Sequence, residues 1–248
     1  MDYDPLAELY DRQYADYLDD VAYYEALARR LGVTELLELG AGSGRVSVAL
    51  ARRGLKVTGL DLSEAMLKRG WERATREGVT VEFLLGDMRA FDLGRTFPLV
   101  IAPFNAFMHL YTLGDQDAAL RMVSRHLEHG GVLAFDLYMP TFGALGVLRH
   151  EDEVFLDPDG SRTDVFLRQE VDAAAQVALT TYYLDLVAPN GTLTRQVLSL
   201  RQRYFTRFEV QRWLASAGFS VRIHGGFDGS RFEASSRMMV VEATTGKS

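Results

Sequence analysis

From Thr34 onward, short leucine-rich or β-branched runs alternate with stretches of helical periodicity. The runs at 34–39, 56–61, 80–85, 97–102 and 131–137 read as strands, and helices are expected between them at roughly 44–53, 63–77 and 114–128. Strand-helix alternation at this spacing predicts a parallel sheet covered on both faces, because each crossover helix must lie across the sheet. In such a sheet the ligand crevice lies beyond the carboxyl ends of the strands, so the residues just after each strand are the ones to read for chemistry.

Ahead of the first strand, Pro5 to Arg30 reads as two helices with a break around Asp19-Asp20, and it is rich in tyrosine: Tyr3, Tyr10, Tyr14, Tyr17, Tyr23 and Tyr24. Tyr10, Tyr14 and Tyr17 stand at i, i+4 and i+7, a spacing that sets three rings on one helix face. Packing against a core accounts for the set as a whole.

After Pro140 the rhythm changes. Alternating runs at 152–157, 162–171, 177–188 and 192–205 are punctuated by Asp157-Pro158-Asp159-Gly160 and Asn190-Gly191, which are turn and hairpin signals. They predict an antiparallel β insertion. A helix from Phe208 to Ala217 follows, with Thr206 as N-cap, and strands near 219–225 and 236–243 return the chain to the main sheet. The expected organisation is a main domain of 1–138 and 206–248, including a helical lid over 1–31, with the insertion at 139–205 as a substrate cover.

The chain has 248 residues, a formal net charge of −7 and no cysteine. The length suits one large α/β domain carrying an insertion. Absent cysteine excludes disulfides, thiolate metal sites and cysteine nucleophiles, and fits a reducing compartment. The acidic balance weighs against reliance on a nucleic-acid backbone and favours a small-molecule partner. No apolar run is long enough to span a membrane, and Met1-Asp2-Tyr3-Asp4-Pro5 opens no signal peptide, so a cytoplasmic location is expected.

The richest chemical signal is Glu38-Leu39-Gly40-Ala41-Gly42-Ser43-Gly44-Arg45, between the first strand and its helix. Three alternate glycines permit a tight turn and close approach of a ligand to the backbone. A dinucleotide fingerprint would place its third glycine at position 45, where this chain has arginine. Asp61 ends the second strand, where a carboxylate can accept both hydroxyls of a ribose, although an aspartate there also serves as a helix cap. After the third strand comes Gly86-Asp87-Met88, an acceptor for an exocyclic amine next to a side chain able to cover a ring.

Jointly these three segments resemble the class I S-adenosylmethionine-dependent methyltransferases over positions 34–138. The resemblance implies a Rossmann-like, doubly wound, mainly parallel seven-stranded sheet and S-adenosyl-L-methionine as cofactor. It implies that Gly40, Gly42 and Gly44 lie against the methionine part, Asp61 holds the ribose, Leu62 and Met88 flank the adenine, and Asp87 meets its amino group. Tyr14, Glu38, Ala41, Arg45, Met66, Gly86, Pro103 and Phe104 complete the implied cofactor set. Leu9-Tyr10-Asp11-Arg12-Gln13-Tyr14, Gly86 to Phe91 and Phe104 to His109 are further similar to the small-molecule branch typified by deoxyaminosugar N,N-dimethyltransferases. That branch implies N-methylation of a small amine under the antiparallel cover.

His109, past the fourth strand, is the candidate general base, and it equally suits a substrate-binding or lid residue. Tyr14 is the second catalytic candidate, orienting the acceptor or closing over the cofactor. His126 and His129 at i, i+3 read as structural residues at a helix end, with no metal site implied. Arg195, Arg201, Arg203 and Arg207 read as a solvated strand face, with anion contact the other reading. O-methylation of a small hydroxyl compound, modification of tRNA or protein, and cofactor binding without turnover stand as alternatives. A homodimer is left open.

Overall fold

The computed structural model describes residues 6–14, 16–139 and 145–246, and Tyr3 lies outside them. In chain order the elements are α1 (Ala7–Gln13), α2 (Asp19–Leu31), β1 (Glu35–Leu39), α3 (Arg45–Arg52), β2 (Lys56–Asp61), α4 (Glu64–Arg76), β3 (Glu82–Leu85) and β4 (Phe97–Ala102). A 3₁₀ turn, Ala106–His109, leads to α5 (Leu113–His126), β5 (Leu127–Tyr138), β6 (Arg149–Leu156), β7 (Arg162–Asp172), β8 (Val177–Val187), β9 (Leu193–Arg203), α6 (Arg207–Ser216), β10 (Phe219–His224) and β11 (Met238–Thr245).

Two compact units result. The larger, residues 14–139 and 205–248, holds a seven-stranded sheet in the order β10-β11-β5-β4-β1-β2-β3. β3, β2, β1, β4 and β5 run parallel, while β11 pairs antiparallel with both β5 and β10. This is the doubly wound sheet the alternation predicts. Its strand order reverses between β1 and β4, which opens a crevice at their carboxyl ends. Leu36, Leu37, Leu39, Leu99, Val100 and Ile101 are fully buried, as expected for strands covered on both faces. On α4 the buried Met66, Gly70 and Ala74 recur every four residues. Gly70 leaves room for a ring: a Cβ there would lie 2.9 Å from Phe83 Cζ, and one at Gly44 2.8 Å from the same atom.

The smaller unit joins residues 1–13 to 140–204. Its antiparallel sheet runs β6-β7-β8-β9, and Leu6 and Leu9 of the first helical stretch pack with Val165, Leu184, Leu198 and Leu200. The Asn190-Gly191 signal makes a three-residue hairpin loop rather than a two-residue one. The Ala188 N–H donates to Thr192 O at 2.9 Å, and Gly191 takes φ 82°.

Local departures from the sequence expectation have physical causes. Helix α1 ends at Gln13 and α2 begins at Asp19, and Asp19 and Asp20 open α2, where carboxylates suit the positive helix end. Tyr14 and Tyr17 therefore leave the helix that Tyr10 occupies, so the three do not share a helix face. His129 falls in β5 instead of at a helix end. His126 accepts the Leu93 N–H at Nε2 (3.0 Å) and donates from Nδ1 to Met122 O (2.8 Å), a structural role. Arg195 pairs with Asp185 and Arg203 is buried beside Gln176, whereas Arg201 is exposed.

Candidate functional site at the strand ends

The loop after β1 bends through Gly40, Gly42 and Gly44, all at left-handed φ (75°, 55° and 74°), which side chains rarely adopt. Space is short as well: a Cβ on Gly40 would lie 2.9 Å from Ala106 Cβ, and one on Gly42 3.2 Å from Met66 Cε. The loop thus touches the segments after β4 and β2. The N–H groups of Gly40 and Ala41 donate to Leu60 O at 2.8 and 3.1 Å. Asp61 finishes the fastening, accepting the Gly42 N–H on Oδ2 and the Ser63 N–H on Oδ1, each at 2.8 Å. Next to it Leu62 is 44% exposed, an apolar side chain left open at a strand end.

Glu38, at the end of β1, is buried and accepts the Ser47 hydroxyl. Burial pushes its carboxyl up to about 8. Arg45 is buried too. Its guanidinium grips both carboxylate oxygens of Asp20 and donates to Tyr17 O at 2.8 Å, so its charge is matched inside the fold at the start of α3.

After β3, the Arg89 guanidinium holds both oxygens of Asp87 and reaches Asp115 Oδ1 at 2.7 Å, keeping the Asp87 carboxyl below its ordinary range. Asp115 in turn caps α5 in a reciprocal pair with Thr112. Gly86 approaches Leu60, since a Cβ there would lie 2.7 Å from Leu60 Cδ1, and Met88 Cε is 3.9 Å from a Cβ built on Gly40.

After β4 come Pro103, buried, and then Phe104 and Asn105, both left-handed without being glycine. The Phe104 ring meets Tyr14 edge-on at 4.6 Å between centroids, with Tyr17 at 6.2 Å. His109 ends the following 3₁₀ turn, half-buried, its ring 6.5 Å from that of Tyr111.

Glu38, Gly40, Ala41, Gly42, Gly44, Asp61, Leu62, Met66, Gly86, Asp87, Met88, Pro103, Phe104 and Tyr14 are thus arrayed on or beside the carboxyl ends of neighbouring strands. Asp20, Arg89 and Asp136, which brace them, were given no site role from the sequence. Asp136 did carry a signal, an acid inside the apolar run Val132-Leu133-Ala134-Phe135-Asp136-Leu137.

Such an edge offers glycine main chain, a carboxylate, an open apolar side chain, a second carboxylate and an aromatic wall in succession. It suits an extended ligand with a hydroxylated ring and a flat base. Residues 36–131 match the model of the methyltransferase domain. The chain is 29% identical to the dTDP-3-amino-3,6-dideoxy-alpha-D-glucopyranose N,N-dimethyltransferase of Streptomyces fradiae, over 89% of this chain and 86% of that one. It is also 29% identical to a cypemycin N-terminal methyltransferase from Streptomyces sp, over 86% and 84%. Among solved structures, S-adenosylmethionine-bound CalS10, an amino pentose methyltransferase from Micromonospora echinaspora, superposes with a TM-score of 0.78 at 25% identity, covering 96% and 97% of the two chains.

Proposed function

We propose that this chain, which is an S-adenosylmethionine-dependent methyltransferase, passes the methyl group to the nitrogen of a small amine. Nitrogen is the acceptor element supported by the relatives above, whose names specify an amino sugar, the N-terminal position of cypemycin and an amino pentose. The observation that carries the cofactor assignment is Asp61. Its carboxylate fastens the glycine loop and the start of α4 from the end of β2, the strand end where a ribose-binding carboxylate belongs in this kind of sheet.

In this reading the main chain of Gly40 to Gly44, with Glu38 and Ala41, faces the amino-acid part of the cofactor. Leu62, Met66 and Met88 enclose the base, Asp87 and Gly86 meet its edge, and Pro103, Phe104 and Tyr14 wall the sulfonium end. Arg45 contributes its main chain.

The bound sulfonium supplies an electrophilic methyl group. The methylated product of a neutral amine would be an ammonium, so the chain must take a proton from it. The protein's work is to align the nucleophile and exclude water. His109 takes the proton, and Tyr14 orients the amine. Among the described residues no helix is long and apolar enough to cross a membrane. The net charge of −7 supports a small acceptor over nucleic acid, and the absence of cysteine accommodates a cytoplasmic setting.

Incubation with labelled S-adenosylmethionine and matched panels of amines and alcohols, read by mass spectrometry, tests the reading. A product one methylene heavier from amines alone supports it, whereas transfer only to hydroxyls overturns the nitrogen assignment. His109→Ala should lower kcat and change the pH profile of kcat; an unchanged profile removes His109 as base.

A further inference from the structure

Two consecutive non-glycine residues at positive φ are costly, and the turn after β4 has them in Phe104 (54°) and Asn105 (64°). Something must hold that turn. The group that does is Asp136 on the neighbouring strand β5, only 6% exposed. Its Oδ1 accepts the Phe104 N–H at 3.0 Å and its Oδ2 the Asn105 N–H at 3.3 Å. The Tyr24 hydroxyl, from α2, donates to Oδ1 at 2.8 Å. Asn105 ties the turn back a second time, its Oδ1 accepting the Tyr138 N–H at 2.6 Å. The ring so presented stands 4.6 Å from Tyr14, with the Arg45 guanidinium 5.0 Å over its face.

We infer that Asp136 is a positioning residue for methyl transfer, holding the β4 turn in its left-handed form through two main-chain N–H groups and thereby setting the aromatic wall at Phe104. The inference rests on the proposed reading of this edge as the cofactor site. Two adjacent N–H donors need two acceptor oxygens on one rigid group. A carboxylate supplies both; an amide supplies one and presents a donor to the other.

The same geometry gives Asp136 a signature in pH. Burial pushes its carboxyl up to about 6, against the Tyr24 hydroxyl and the two turn N–H groups that favour the anion. The groups facing it are Asp20, Tyr23 and Tyr24 of α2, Tyr17 before that helix, and Arg45 of α3, whose charge is matched by Asp20. Protonation converts one acceptor oxygen into a donor and releases one turn N–H. Cofactor affinity therefore falls as pH falls through about 6.

Titration calorimetry of S-adenosylmethionine into the full chain between about pH 5 and 8 tests this, with thermal melting alongside. Wild type should bind more weakly as pH falls through about 6, a limb distinct from any change near 8, where Glu38 ionises. Asp136→Asn should bind about tenfold more weakly at the alkaline end and lack the acid limb. Tyr24→Phe removes a donor but no acceptor, so it should bind like wild type at the alkaline end while its acid limb moves to higher pH. A loss of melting temperature alone, with affinity and limb as in wild type, overturns the inference. So does an unmoved limb in Tyr24→Phe, which decides the matter even where Asp136→Asn fails to fold. Wild type that binds no cofactor at any pH overturns the reading of the site itself.

Discussion

The Gly42 N–H donates to Asp61 Oδ2 at 2.8 Å, so the loop after β1 takes its shape from a side chain at the end of β2. Asp61→Ala removes the acceptor of that N–H and of the Ser63 N–H together. The expected result is S-adenosylmethionine affinity weakened by more than about tenfold, by calorimetry, because a charged acceptor and its loop geometry are lost at once. Asp61→Asn keeps one acceptor oxygen and should fall between the two.

Gly44 tests the loop from its other side. Alanine there must hold φ near 74° and place its Cβ 2.8 Å from Phe83 Cζ and 3.2 Å from Gly70 Cα. Gly44→Ala should cost about 2 to 4 kcal/mol in denaturant melts. Gly54 has φ 90° but no atom within 4 Å of a built Cβ, so Gly54→Ala isolates backbone strain. It should cost about 1 to 2 kcal/mol and leave cofactor binding intact.

These contrasts mark what was legible in the sequence. The main strands follow from hydrophobic runs, and the glycines and Asp61 follow from their places at strand ends, because both signals are local. β5 is longer than its apolar run suggests: Leu127 already pairs with Phe97, and the register then shifts before Leu99 meets Val132. The bracing groups are a different case. Asp20 meets Arg45 across 25 residues and Asp136 meets Phe104 across 32, so neither contact has a spacing to read. Arg45 shows the consequence: the resemblance put it in the cofactor set, while the fold commits its charge to Asp20.

The Asp20–Arg45 pair lies in the interior, with side chains 1% and 4% exposed. Removing one partner strands a buried charge. Asp20→Asn should therefore destabilise by about 3 to 5 kcal/mol in urea melts. Asp20→Asn combined with Arg45→Met removes both charges and should recover much of that loss. A double variant no more stable than Asp20→Asn would assign the cost to packing instead.

Glu38 makes the cofactor-free protein less stable as pH rises. Its carboxyl is pushed by burial to about 8 in the folded chain, above its ordinary range in the unfolded one. Between those values the folded state keeps a proton that the unfolded state has released, so stability declines with pH across the window. The contribution is fully present below the ordinary carboxyl range and is lost as pH passes about 8. Asp136 acts in the same sense over a lower window ending near 6. Melting temperature in the absence of cofactor should accordingly fall from about pH 5 to about pH 9. Glu38→Gln keeps an acceptor for the Ser47 hydroxyl and cannot ionise. Its melting curve should match wild type at the acid end, exceed it at the alkaline end and flatten between. A variant whose melting temperature falls in parallel with wild type would place the ionisation elsewhere.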